Sequence, residues 1–479
     1  MKRVSIVCGI LFTAAILSAC ETDVNTEYAY IRLDRANCSF TAEGNSPVEV
    51  AVSATGKWSV EPSASWVKVE DVSDTGVTIT VDDNDLTDER NAVLTFSMGN
   101  VEETLAINQL AKQSGEYIYR FPLEFDLGAV MSPEGKYVGG RIPVLNEDNS
   151  YTHQVIIIDV DADERHIVAE VPSSLFGLEK PYCITDTGVF FLMNNAGGTV
   201  AYDLDGNYFI PENYPGYPGG ADVQATSSDG KIWAGFARDK FGGEGLYRPL
   251  KWVDGVPEIL PVPEKNFRDS VWVGGVMARG MSADGSIIYG SSWCNNDFGM
   301  CYWDKNGEFH WVGEDKREIS QITTDYGFGD VTENIVNGMT CTAELTNISP
   351  NGKWIAGTWR KETHPGGGAE CAAFFDTENE KTYIFENLAG GFTCTNDGIG
   401  FATDGFMSNS GTVVDIESGA VLGSVKDWVY ENYGLNVGPG CIRYMTADKQ
   451  KFLSFVLVDV VATMKTAHWY VAPDVRDAK

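Results

Sequence analysis

Histidine is scarce in this chain: five in 479 residues, scattered at His153, His166, His310, His364 and His468. There is no His-Glu-x-x-His helix and no Gly-x-Ser-x-Gly turn, which excludes the common zinc-hydrolase and serine-hydrolase layouts. The ten cysteines include no Cys-x-x-Cys pair, so the usual structural zinc spacing is absent and no metal or other cofactor is expected. Basic side chains are also few. Against 68 Asp and Glu stand 35 Lys and Arg, for a net charge of −33. A protein that grips nucleic acid must neutralise phosphates, so a nucleic-acid partner is not expected. Past the first twenty residues no run is long and apolar enough for a membrane-spanning helix.

What is present starts with an export signal. Lys2 and Arg3 precede the short apolar stretch from Val4 to Ile16, which ends in Leu17-Ser18-Ala19-Cys20. Those last four residues resemble the lipobox of bacterial lipoproteins. The resemblance implies removal of residues 1–19, lipidation of Cys20, residues 20–27 as a tether, and a place in the cell envelope on the outer membrane. A plain secretory signal followed by a chance cysteine is the alternative. Export permits disulfides. Cys294 and Cys301 flank one short loop and are expected to bridge, and Cys341 is expected to join Cys371 or Cys394. Buried free thiols are the competing reading.

Residues 28–112 alternate apolar and polar side chains in short runs, as in Val48-Glu49-Val50-Ala51-Val52 and Val77-Thr78-Ile79-Thr80-Val81. Half-buried strands separated by turn residues suggest an antiparallel sandwich. This segment resembles the BACON family of exported Bacteroidetes proteins through Trp58, Trp66, Asn84, Arg90 and the closing Ile107-Asn108-Gln109. The resemblance implies an Ig-like fold often joined to glycan-active modules. Core packing is the plainer role for the two tryptophans.

After the polar linker at 111–115, one pattern recurs through residues 116–479: an apolar run, a tight turn, another apolar run. The turns at Ser132-Pro133-Glu134-Gly135, Ser227-Ser228-Asp229-Gly230, Ser282-Ala283-Asp284-Gly285 and Ser349-Pro350-Asn351-Gly352 are each followed by a glycine at Gly140, Gly235, Gly290 or Gly357. Looser copies occur at Thr185–Gly188, Thr403–Gly405 and Thr446–Lys449. A repeat of about 50 residues built from four short strands signals a propeller, and the turns resemble HAF-type extracellular repeats. The expected fold is therefore all-β, an N-terminal sandwich followed by a seven-bladed β-propeller. Six or eight blades and an open solenoid are the alternatives. The last repeat lacks a fourth strand, so Tyr117–Phe121 is expected to pair with His468–Val471 and close the ring.

Two groups of residues are candidates for binding. Trp293 and Trp359 end equivalent strands of adjacent repeats, and Tyr217 lies on a loop of the same rim. Flat aromatic faces stack on sugar rings, and packing between blades is the competing role. Asp222, Arg279, Glu344, Asp397 and Arg443 fall on the innermost strands of this parse, where two arginines among carboxylates would orient an acidic sugar, or the carboxylates would hold calcium. Calcium-like runs also occur at Asp159–Glu164 and Asp203–Asn207, without full EF-hand spacing. No catalytic residue stands out. These features favour non-catalytic binding of a glycan or glycoprotein. An envelope scaffold or adhesion protein binding another protein is the alternative, and a propeller hydrolase or lyase comes third.

Overall fold

The computed structural model describes residues 29–475, apart from 41, 43–44, 86–88, 111–115, 126–127, 147–150, 173–179, 194–197, 240–246, 265–274, 293–298, 317–322, 325–331, 334–337, 342–345, 361–369, 406–408 and 460–464. The signal segment, Cys20, Trp293, Cys294 and Glu344 thus lie outside the described residues. Among the described residues no helix is long and apolar enough to cross a membrane.

The N-terminal sheets form a sandwich. One orders Ile31–Leu33, Val48–Ala54, Gly76–Val81 and Val67–Glu70; the other orders Asn37–Phe40, Val101–Gln109, Arg90–Met98 and Ser59–Pro62. Alternation along each strand sends Val50, Ile79, Leu94, Phe96, Leu105 and Ile107 into one shared core. The other quoted family residues make the closing contacts. Asn84 is buried and donates from Nδ2 to the Leu110 carbonyl at 2.8 Å. Arg90 donates to Gln109 Oε1 at 2.8 Å and lies over the Trp66 ring at 4.4 Å. Gln109 in turn donates to the carbonyls of Ala42 and Asp82. Trp58 packs on Phe96, so both tryptophans serve the sandwich itself.

Beyond residue 115, seven four-stranded antiparallel sheets follow one another among the described residues, and the chain forms a β-propeller. Their inner strands begin at Ala129–Met131, Pro181–Ile184, Ala221–Thr226, Val276–Met281, Gly338–Thr340, Gly390–Cys394 and Cys441–Met445. The seventh sheet takes three strands from the C-terminal end (Cys441–Met445, Phe452–Asp459, Lys465–Pro473) and its fourth from Tyr117–Phe125. Tyr470 partners Arg120 and Val471 partners Tyr119, which is the expected closure. An edge that would otherwise stay open is thereby paired.

The repeated turn has one hydrogen-bonding plan. The serine or threonine hydroxyl accepts from the backbone N–H five residues on in the sharp copies, as from Ser132 to Tyr137, Ser227 to Ile232, Ser282 to Ile287 and Ser349 to Trp354. In three of the sharp copies it also donates to the acid or amide two residues on, at 2.8 Å from Ser227 to Asp229, 2.6 Å from Ser282 to Asp284 and 2.7 Å from Ser349 to Asn351. The turn glycine has positive φ, 71° at Gly230 and 72° at Gly285, which a side chain tolerates poorly. In the seventh sheet Lys449 holds that conformation at φ 61°.

Three sequence assignments need correction. The sixth sheet turns at Thr395–Gly398, where Thr395 accepts from Ile399 N–H, and not at Thr403–Gly405, which follows the second strand. In the fifth sheet the inner strand starts at Gly338, earlier than Glu344, and its far end is a bridge between Ile348 and Ile355. The expected bridges from Cys341 are absent, since none of Cys341, Cys371 and Cys394 is in a disulfide. Cys394 instead donates to the Trp354 carbonyl at 3.3 Å and Cys371 to Glu386 at 3.7 Å, as small buried groups. Cys301 is likewise a free buried thiol. A helix the repeat pattern gave no reason to expect, Val425–Tyr433, follows the sixth sheet. Ser424 caps its start and Gly434, at φ 68°, its end.

Candidate functional site

A cavity of about 130 Å³ lies on the propeller axis, and every one of the seven sheets contributes to its wall. Met131, Ile184, Gln224, Arg279, Ile348, Thr393 and Arg443 come from one sheet each. Inner strands of a ring point their sides at neighbouring blades, so an axial side chain needs a local change of direction. β-Bulges provide it. Five inner strands slip register, between Pro181 and Cys183, Val223 and Ala225, Ala278 and Gly280, Gly391 and Thr393, and Ile442 and Tyr444. The residues stepped over are Tyr182, Gln224, Arg279, Phe392 and Arg443. All but Phe392 line the cavity; Phe392 is buried and packs on Phe455 instead.

The described side chains lining this cavity carry a charge opposite to that of the molecule. Lys180, Arg279 and Arg443 line it, and the described lining residues include no carboxylate. Burial, with Arg443 and Arg279 close by, pulls the Lys180 ammonium down to about 8. Arg443 donates to the Ala129 carbonyl at 3.3 Å and lies over the Tyr444 ring at 5.0 Å. Its own carbonyl accepts from Asn347 Nδ2 at 2.7 Å. Arg279 lies over the Phe236 ring at 5.8 Å, sharing that ring with Arg238 at 5.7 Å.

The acids expected at the channel mouth are placed differently. Asp222 is fully buried, accepts the Tyr182 hydroxyl at 3.2 Å and is ion-paired with Arg238. Burial pushes its carboxyl up, opposed by Arg238. It braces the wall and does not face the cavity. Asp397 belongs to the turn of the sixth sheet and pairs with Lys449 of the next turn at 2.8 Å, because the true turn begins at Thr395. Arg279 and Arg443 are brought together as the sequence suggested. Lys180 and Tyr182 were missed there. The signal was available, since each stepped-over residue lies three positions before its turn serine or threonine.

The aromatic rim is also corrected. Trp359 is 4% exposed and packs beside Met339 and Tyr302 between blades, so it offers no platform. Trp359→Ala is accordingly expected to cost about 3 to 5 kcal/mol of stability. Chemical denaturation would check this, and a loss below about 1 kcal/mol would contradict the packing role. Tyr217 is half-buried, edge-on to Tyr214 at 5.9 Å, and is not part of the cavity wall.

The calcium-like runs cap their own turns. Asp159 accepts from the N–H groups of Asp161 and Ala162, and Asp203 from those of Asp205 and Asn207. Asp304, Glu308 and His310 have ligand atoms within 4.8 Å of one another, but Asp304 is engaged in the same way by Asn306 and Glu308 N–H.

Comparison with known proteins adds the following. Residues 56–110 match the family model described as "BACON: Putative binding domain, N-terminal". No curated protein matches the chain. Among solved structures it is similar to the oligogalacturonate lyase of Vibrio parahaemolyticus, at 10% identity and a TM-score of 0.40, over 81% of this chain and 98% of that one. It is also similar to the β-propeller domain of the Trilobed protease from Pyrococcus furiosus, which has an open velcro topology. That likeness has 11% identity and a TM-score of 0.35, over 70% of this chain and 96% of the other.

Proposed function

We propose that this protein binds a glycan, without catalysis, in the cavity on the propeller axis. The N-terminal sandwich acts as a second module, and a lipid on Cys20 tethers the chain in the cell envelope, at the outer membrane. The observation that carries the reading is the wall itself. Side chains from the inner strands of all seven sheets meet at one small cavity, and bulges turn four of the longer polar or aromatic ones toward it. The BACON match upstream supports a binding role.

A glycan array probed with the full mature chain tests this. Binding to a defined glycan class is expected, and Gln224→Leu should weaken it while leaving the melting temperature in place. An array without signal would overturn the reading. Capture of a protein partner in a parallel pull-down would favour an envelope scaffold. That second reading has its own observation, an outer edge at Tyr208–Ile210 where Tyr208 is 69% and Ile210 67% exposed.

A further inference from the structure

We infer that the seam between the fourth and fifth sheets of the propeller holds a divalent transition-metal ion of the zinc class. Its ligands are His310, Asp304 and Glu308, with Glu380 behind the histidine. None of these residues lines the axial cavity, so this is a second site and does not depend on the glycan reading.

The three ligands share one hairpin. Asp304 follows the strand Met300–Trp303, Glu308 closes the turn after Gly307, and His310 lies on the outermost strand, Phe309–Trp311, opposite Tyr302. The spacing Asp-x-x-x-Glu-x-His means nothing along a strand, and acquires a meaning only when the turn brings Asp304 back against His310. Ligand atoms of the three then lie within 4.8 Å of one another. Tyr302 stacks on the imidazole at 4.8 Å, with the planes 17° apart, and holds the ring in place. The N–H bonds of Asn306 and Glu308 fall on Asp304 Oδ1. Oδ2 accepts only from Asn306 Nδ2 and lies 3.7 Å from His310 Nε2. Two ligands about 2.1 Å from a tetrahedral ion stand about 3.4 Å apart, so this pair is already close to a ligating separation.

A separate observation points to an ion between them. His310 Nε2 is buried and has no hydrogen-bond partner among the described residues, while Nδ1 faces Glu380 Oε1 of the fifth sheet at 3.5 Å. With the ring proton on Nδ1 toward Glu380, the Nε2 lone pair meets Asp304, acceptor against acceptor. A cation between them resolves that opposition, and a carboxylate behind a ligating histidine is the usual means of fixing its tautomer. Burial opposes ionisation of Asp304, but the N–H bonds of Glu308 and Asn306, with His310 nearby, hold its carboxyl below the ordinary range. Among the described residues no Lys or Arg is ion-paired with Asp304, Glu308 or Glu380. Acids of other turns do have such partners, as Asp161 has Lys451 and Asp397 has Lys449. One imidazole with two carboxylates suits zinc better than calcium or magnesium, which favour oxygen alone. Glu308 is exposed, so a fourth position is open to water.

Calorimetry on the full mature chain, purified without a polyhistidine tag and stripped with a chelator, tests this with zinc chloride. Manganese and calcium chlorides form the other arms. One zinc ion per chain should bind at neutral pH, and zinc should raise the melting temperature. His310→Gln should abolish both responses. Glu308→Gln, at an exposed position that leaves the packing on Tyr302 untouched, should weaken zinc by about tenfold or more with an unchanged metal-free melting temperature. Glu380→Gln should weaken it by about tenfold while keeping the stoichiometry, as expected of a group that orients a ligand. Zinc binding undiminished in both His310→Gln and Glu308→Gln would put the ion elsewhere and overturn the site. No zinc binding by the parent would mean that a proton on Nε2 satisfies Asp304, which would also overturn it. Calcium bound more tightly than zinc would overturn the class of ion.

Discussion

Replacing Gly235 by alanine is expected to destabilise the propeller by about 3 kcal/mol or more, at the upper end of what single overpacking substitutions cost. Gly235 is the second glycine of its repeat, on the strand beside the inner strand of the third sheet. A Cβ placed there overlaps the backbone carbonyl of Asp222, which has no flexible end to swing away. The crowding arises because Gly235 pairs with Val223, the residue before the bulge at Gln224, where the inner strand presses closer. Gly290 repeats the geometry beside the bulge at Arg279, with its Cβ directed at the Met277 carbonyl. Gly419→Ala provides the contrast: its φ is 72° but nothing lies within 4 Å of the added carbon. Only the conformational penalty of about 1 kcal/mol should appear there. Chemical denaturation of the two variants side by side measures the difference. Equal, small losses would mean that the inner strands can shift, and the rigidity ascribed to the bulges would be wrong.

Acid should weaken the seam of the ring, and His468 should be a main cause. The residue lies on the C-terminal strand that pairs with Tyr117–Phe125, fully buried, with Phe125 and Phe455 packed around its ring. Its Nδ1–H donates to the Ser454 carbonyl at 2.6 Å, and Nε2 has no hydrogen-bond partner among the described residues. Burial pulls its pKa down to about 3 and Arg443 adds to the effect, although the bond to Ser454 opposes both. In the unfolded chain histidine titrates near 6.5, so between those values the unfolded state binds the extra proton. The stability contributed by keeping His468 neutral is thus complete above about pH 6.5 and is lost progressively as pH falls toward 3. Each unit in that window is worth about 1.4 kcal/mol, and a loss of a few kcal/mol by pH 4 is expected. Urea denaturation from pH 7 to 4 should show this decline in the parent and a shallower one in His468→Gln, even if that variant starts lower. Parallel declines in the two proteins would remove His468 from the explanation.

How legible these features were depended on whether they were local. The turns are written in neighbouring residues, because one hydroxyl, one acid and one glycine satisfy a four-residue loop by themselves. Closure by Tyr117–Phe125 was also legible, since a repeat that ends one strand short must find that strand elsewhere. The sixth turn was misplaced because Thr403-Asp404-Gly405 imitates the pattern one residue short, while Thr395-Asn396-Asp397-Gly398 has the full spacing but begins with threonine and has Thr403 where the second glycine would fall. That single shift moved Asp397 onto the inner strand of the sequence reading. Strict alternation also hid the cavity. A bulge adds a residue and reverses which side chains face inward beyond it, and its one trace in the sequence is a fixed distance of three residues to the turn serine or threonine, which alternation alone does not reveal. The pairing of Asp222 with Arg238 joins residues on adjacent strands, and their mutual neutralisation could be read only once the strands were side by side.

The shared seventh sheet has a consequence for how the molecule comes into being. Thr466 donates to the Phe125 carbonyl across 341 residues of chain, and Asp474 N–H reaches the Glu116 carbonyl at 2.7 Å. Such contacts are among the most distant in sequence that the fold contains, and a chain must give up loop-closure entropy before it gains them. Sheets one to six can be assembled from local hairpins as their strands emerge, but the ring has no complete seventh wall until the last strand arrives. Folding should therefore divide in time, with rapid formation of hairpins followed by a slow step that joins the two ends. Until that step the Tyr117–Phe125 strand is an unpaired edge, the part of the nascent chain most exposed to pairing with the wrong partner.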